Sequence, residues 1–177
     1  MKSIFCSDMH NVIGVKSTDR THRNLAYRIR EDLTRFEQLT IGTVELPSIL
    51  ITGYNTYMSF GGTEEECEQV LNTFKSTNRS LWTLTHKKLT STIDNLKYFN
   101  SYDDIIDEYT KNINKYTFWI VGGSEIYKLF ESVTDTIYQT LVLHNNYADH
   151  ATETLICYEI PDYFENDINE AKCDLKG

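Results

Sequence analysis

One carboxylate lies where a soluble helix should be apolar. Residues 26–40, AYRIREDLTRFEQLT, have the periodicity of an amphipathic helix. At about 100° per residue, Ile29, Leu33, Phe36 and Leu39 fall on one arc that should face the core. Asp32 falls inside that arc, while Glu31 and Arg35 point the other way. A carboxylate on an apolar face is costly unless it is paired or hydrogen-bonded. Two arrangements satisfy Asp32. One is an edge position or a salt bridge to a structural arginine. The other is a cationic or amidine-like ligand group bound against the helix.

A second feature is YTFWIVGGSEIYKLF, residues 116–130. The first half is apolar, β-branched and aromatic, as in a strand covered on both faces. Gly122, Gly123 and Ser124 follow, and then an amphipathic run. Two glycines free the backbone and leave no Cβ in the path of a ligand. Ser124 can cap the helix, whose first N–H groups attract phosphate. Strand, Gly-Gly, helix is therefore a candidate dinucleotide or phosphate site, and equally an αβ turn that needs glycine. LTHKK (84–88) puts a hydroxyl, an imidazole and two ammonium groups past a strand end, as a phosphate subsite or a polar loop. Arg79, ahead of that strand, either grips a carboxylate bidentately or is solvated. The acidic run TEEECEQ (63–69) reads as a solvated helix start favoured by the dipole.

These groups need elements to position them. Strands are expected at 3–9, 48–53, 80–85, 97–101, 117–123 and 135–144, with a further one at 154–160. Helices are expected at 26–40, 63–74, 102–112 and 124–132, with a short turn after Gly53. The alternation defines an α/β protein with a mainly parallel sheet flanked by helices, in one domain over 1–177. Ligands of such sheets bind at the carboxyl ends of the strands, which brings Gly53, Thr85 and Gly122-Gly123 near one another. Hydrophobic residues at 40% and charged residues at 24% suit a globular protein with its own core. The net charge of −9 and the lack of a long Lys/Arg cluster argue against a nucleic-acid partner. No apolar stretch approaches the roughly 18 residues of a membrane span, and the N-terminus lacks a signal-peptide core. Cys6, Cys67, Cys157 and Cys173 are far apart and show no metal spacing, as for reduced thiols. His10, His22, His144 and His150 show none either. The expectation is a cytoplasmic, monomeric protein without membrane or metal.

Taken in order, five segments resemble dihydrofolate reductase. They are NVIGV (11–15), REDLTRFEQLTIG (30–42), ILITGYNTYMSFG (49–61), NRSLWTLTH (78–86) and IVGGSEIYKLF (120–130). The resemblance implies that family's mixed, mainly parallel sheet, NADPH as cofactor and dihydrofolate as substrate, with hydride transferred to pterin C6. Asp32 is then the only ionised group of the pterin pocket, accepting from the pterin N3 and 2-amino groups, and Thr140 supports its carboxylate. Ile4 and Val121 offer backbone carbonyls at the pterin edge, and Phe36 packs on the ring. Arg79 matches the arginine that takes the α-carboxylate of the glutamate tail. Gly53, Thr56, Thr85, His86, Gly122, Gly123 and Ser124 match positions around the cofactor.

Departures from the family pattern are plain. Residues 16–29, KSTDRTHRNLAYRI, are longer than the family's loop and lack its Pro-Trp pair. Tyr54 and Glu125 occupy positions that are often basic, leaving Lys87 or Lys88 to face a 2′-phosphate. GGTEEECEQVLNTFKSTN is longer than the family's loop beside the tail groove. Only 14 residues follow IPDY (160–163), about half of what a C-terminal hairpin takes. The alternatives are a drifted, non-catalytic member of this fold, or a related reductase acting on a pyrimidine.

Overall fold

Strands such as Ser48–Gly53 and Thr117–Gly122 are buried along nearly their whole length. A sheet satisfies such strands only with helices on both faces. The computed structural model describes residues 1–16, 27, 29–143 and 154–164. Along the chain these are β1 (Lys2–Asp8), β2 (Val12–Lys16), α1 (Arg30–Thr40), β3 (Ser48–Gly53), α2 (Tyr54–Met58) and α3 (Glu64–Ser76). Then come β4 (Arg79–Leu84), β5 (Leu96–Phe99), α4 (Tyr102–Asn112), β6 (Thr117–Gly122), α5 (Ser124–Leu129), β7 (Thr136–Val142) and β8 (Thr154–Cys157). Six strands form one sheet in the order β5-β4-β3-β6-β1-β7, with parallel pairings throughout. Among the described residues, antiparallel pairing is confined to β2 with β8. The fold is thus the expected α/β class, with helices on both sheet faces.

Strand alternation divides the core. Ile4, Leu50, Leu81 and Trp119 pack with Phe36 and Leu39 of α1, Tyr57 of α2 and Leu71 and Phe74 of α3. Their neighbours Phe5, Ile49, Ile51, Trp82, Phe118 and Ile120 pack with Ile105 of α4 and with Ile126 and Tyr127 of α5. The long segment after Gly61 is mostly helix α3. Thr63 and Glu66 form a reciprocal capping box, and Cys67, Leu71 and Phe74 turn inward at helical spacing. Strand β2 has no counterpart among the expected elements. Asp8 makes the turn into it, its buried Oδ1 accepting from the N–H groups of His10 at 2.8 Å and Val12 at 3.0 Å.

Helix α1 departs from the expected register. It starts at Arg30, and its inward face is Asp32, Arg35, Phe36 and Leu39, all half-buried. Leu33, placed toward the core by periodicity, is 39% exposed, and Arg35, placed outward, lies on the inward face. The spacing i, i+3, i+4, i+7 is helical either way, and charged residues rather than Leu33 fill it. Most of the 16–29 segment and everything after Phe164 lie outside the described residues.

Leu71→Ala, in the core of α3, should cost about 2–5 kcal/mol in denaturant unfolding. Leu33→Ala should cost within about 0.5 kcal/mol beyond its small helix-propensity effect. Comparable losses in both variants would contradict the observed rotation of α1.

Candidate active site

The carboxyl ends of β3, β4 and β6 are adjacent, with Thr52 opposite Gly122 and Gly53 opposite Leu84. Gly122 has φ +110°, and a Cβ there would come within 3.0 Å of the Tyr127 hydroxyl. The Gly122–Gly123 peptide is cis. Thr52 Oγ1 donates to the Gly122 carbonyl at 2.8 Å, joining β3 to the turn. A Cβ on Gly123 would lie 3.2 Å from Thr56 Oγ1 of α2. The strand end between α2 and α5 therefore holds no side chain of its own. Ser124 is the first residue of α5 and not its cap; the cap position is Gly123, with no side-chain capping bond. The expectation of a Ser124 cap is corrected accordingly: a helix whose cap is glycine leaves its first N–H groups to other acceptors.

Thr85 follows β4 and is buried. Its N–H donates to the Phe99 carbonyl at 2.9 Å, and its Oγ1 accepts from the Lys87 N–H at 3.1 Å. His86 is exposed beside it. The Lys87 ammonium lies 4.2 Å from the centre of the Tyr54 ring, a cation–π contact. A hydroxyl, an imidazole and an ammonium thus border the side-chain-free strand end. This donor set and the glycine cradle fit a dinucleotide phosphate.

Around α1, Ile4, Phe36 and Val121 belong to one apolar cluster with Tyr138. The Ile4 carbonyl accepts from the Tyr127 hydroxyl at 2.9 Å, which ties α5 to β1. Asp32 faces this cluster. No hydrogen bond or ion pair engages its carboxylate among the described residues. Burial pushes the Cys6 thiol up to about 12, and the negative charges of Asp32 and Asp8 add to it. Burial also raises the Tyr127 phenol, with Tyr158 and Asp32 contributing. The Asp32 charge is thus felt at Cys6 of β1 and at Tyr127 of α5.

Thr140 stands opposite Cys6 on β7. Its hydroxyl accepts from Arg35 Nη1 at 2.8 Å, and the same nitrogen reaches the Gln139 carbonyl at 3.3 Å. Thr140 and Asp32 share no hydrogen bond among the described residues. Arg79 is far from solvent, correcting the solvated alternative. Its Nε donates to Thr77 Oγ1 at 2.7 Å, its Nη1 to Thr40 Oγ1 at 3.3 Å, and its guanidinium stacks 4.4 Å from the Phe74 ring. Burial lowers its pKa, opposed by the charge of Glu37. Arg79 opens β4 at the amino end, while Thr85 follows its carboxyl end, so the structure puts the two on opposite sides of the sheet's length.

Sequence reasoning missed Tyr127, Arg35 and Glu37. Tyr127 carried a signal, its place in the Gly-Gly-x-x-[IV]-Tyr pattern. The pairs Arg35–Thr140 and Glu37–Arg79 join residues remote in sequence and carried none.

A parallel α/β sheet with a side-chain-free strand end and a half-buried carboxylate beside an apolar cluster is of the class that binds ligands at the carboxyl ends of its strands. The dihydrofolate reductase family model matches residues 1–159. The chain belongs to the dihydrofolate reductase family. A search of curated proteins found no match. Family membership makes it an oxidoreductase of the dihydrofolate reductase type, a family that uses NADPH and small pterin substrates.

In a variant retaining only Cys6, the thiol should titrate near 12. Asp32→Asn should lower that value, because removing a nearby anion makes the thiolate less costly. Thiolate absorbance against pH reads both. An unchanged titration would separate Asp32 from β1.

Proposed function

We propose that the chain reduces dihydrofolate to tetrahydrofolate with NADPH. The carrying observation is Asp32: a half-buried carboxylate on the inward face of α1, beside the Ile4–Phe36–Val121 cluster and unengaged among the described residues. Burying such a group costs free energy unless a ligand completes it. A pterin ring does so with two parallel donors, N3–H and the 2-amino group, in the bidentate manner that carboxylates favour.

In this reading Phe36 packs on the ring, and the Ile4 and Val121 carbonyls receive its remaining N–H groups. The negative charge of Asp32 stabilises the pterin protonated at N5, the form that accepts hydride at C6. Thr140 keeps a hydroxyl proton free to donate toward Asp32 while accepting from Arg35. NADPH, when bound, supplies the hydride. Gly53, Thr56, Gly122, Gly123 and Ser124 would hold its pyrophosphate, and Thr85, His86 and Lys87 its adenosine phosphates. The protein's part is to align the two rings and exclude water between them. Monomeric action in the cytoplasm is part of the same reading.

The test follows NADPH absorbance with dihydrofolate as substrate. Wild-type protein should turn over, and Asp32→Asn should lose about 100- to 10,000-fold in turnover near neutral pH. Its circular dichroism should match that of the wild type, and its melting should be no lower, since the substitution removes an unpaired half-buried charge. Equal turnover of the two proteins would remove Asp32 from the chemistry. An inactive wild type would favour a drifted binding protein.

A further inference from the structure

The cation expected to receive the glutamate tail already has a carboxylate beside it. Arg79 Nη2 lies 3.6 Å from Glu37 Oε1, and the two side chains are 3% and 62% exposed. Three contacts hold the guanidinium from the protein side: Thr77, Thr40 and the Phe74 ring. Glu37 therefore covers it from the solvent side. A separation of 3.6 Å is too long for a hydrogen bond. Glu37 neutralises Arg79 without being fixed to it.

Position along α1 makes this matter for a ligand. Asp32 and Glu37 are five residues apart, about 7.5 Å along the helix axis. They are also about 140° apart around it, so they meet a common ligand only through Arg79, which Thr40 and Glu37 both approach: a ligand held at Asp32 whose tail runs along α1 to Arg79 meets Glu37 there. Arg35, the other cation of that helix face, is bonded to Thr140. That bond holds Arg35 at β7, four strands from β4, so a distal carboxylate at Arg79 meets one cation with one anion beside it and is drawn less than by Arg79 alone.

We infer that Glu37 is a specificity-determining residue, an internal carboxylate that occupies Arg79 and removes the advantage of an anionic tail, so that the site takes pterins with uncharged tails as readily as folates. This rests on the pterin-site reading above. An approaching α-carboxylate must either share Arg79 with Glu37 or push it into water. Like charges a few ångströms apart near a protein surface disfavour the anionic ligand by about tenfold.

The experiment measures dissociation constants by tryptophan fluorescence for folate and for its α-carboxamide, which differ by one charge. Wild-type protein should bind the two within about threefold of each other. Glu37→Gln keeps the side chain's shape and should bind folate about tenfold more tightly while leaving the carboxamide unchanged. Folate already favoured tenfold or more by the wild type, or equal shifts for both ligands in Glu37→Gln, would overturn this inference alone. Failure of both proteins to bind either ligand would overturn the pterin-site reading and this inference with it. Binding rather than turnover is read, so an inactive wild type still decides the question.

Discussion

Two central strands, β3 and β6, end against helix α5 in glycines that put no side chain of their own between strand and helix. That constraint is concentrated at Gly122, whose left-handed backbone lies against the Tyr127 ring where a Cβ would not fit. Two hydrogen bonds then tie the strands together. Thr52 Oγ1 reaches the Gly122 carbonyl from β3, and the Tyr127 hydroxyl reaches the Ile4 carbonyl of β1. Both bonds are buried, so losing either partner leaves a desolvated polar group behind. The same close approach that seats α5 on the sheet also clears the strand end for a ligand. Packing and site are one arrangement here.

Helix α1 meets a different requirement. Its inward face mixes Asp32 and Arg35 with Phe36 and Leu39, and only Thr40 is fully buried. A helix with so small an apolar face gains little from burial. Its position is set instead by polar bonds to distant strands. Arg35 reaches Thr140 on β7, and Thr40 and Glu37 both approach Arg79 on β4. These pairs hold the helix across the sheet at two points and leave Asp32 half-buried beside the Ile4–Phe36–Val121 cluster. A helix fixed by charge can keep one charge for a ligand, which an apolar face could not do at the same cost.

The difference between these two regions explains what could be read from the sequence. Strands β3 and β6 carry nearly continuous apolar runs, and β1, β4 and β7 carry shorter ones between polar residues, while Gly122-Gly123 marks a place where backbone freedom is required. Helix α4 was readable to the residue because Ser101 caps it and its apolar positions repeat cleanly. Strand β2 was not separated from its flanking segment, since VIGVK is short and pairs only with remote β8. The face of α1 was misjudged at Leu33 and Arg35 because periodicity assumes that leucine outcompetes arginine for the interior. Here a partner hydroxyl on β7 reverses that order. Ser124 failed as a cap for a related reason: the glycine before it already occupies the cap position.

The two ends of the candidate site therefore differ in how they are encoded. The strand-end cradle is local: adjacent glycines, a following helix and a neighbouring strand of the same kind. Such a pattern can be read along the sequence because the backbone itself forms it. The tail end is assembled from Glu37, Thr40, Phe74, Thr77 and Arg79, which lie on four separate elements and turns. No local pattern records whether the residue facing Arg79 is a cation, an amide or an anion. One side chain at that point changes the net charge a ligand meets without disturbing a strand or a helix. Substrate preference within a shared fold can thus move at Glu37 while the sheet, the glycine turn and Asp32 stay where the fold requires them.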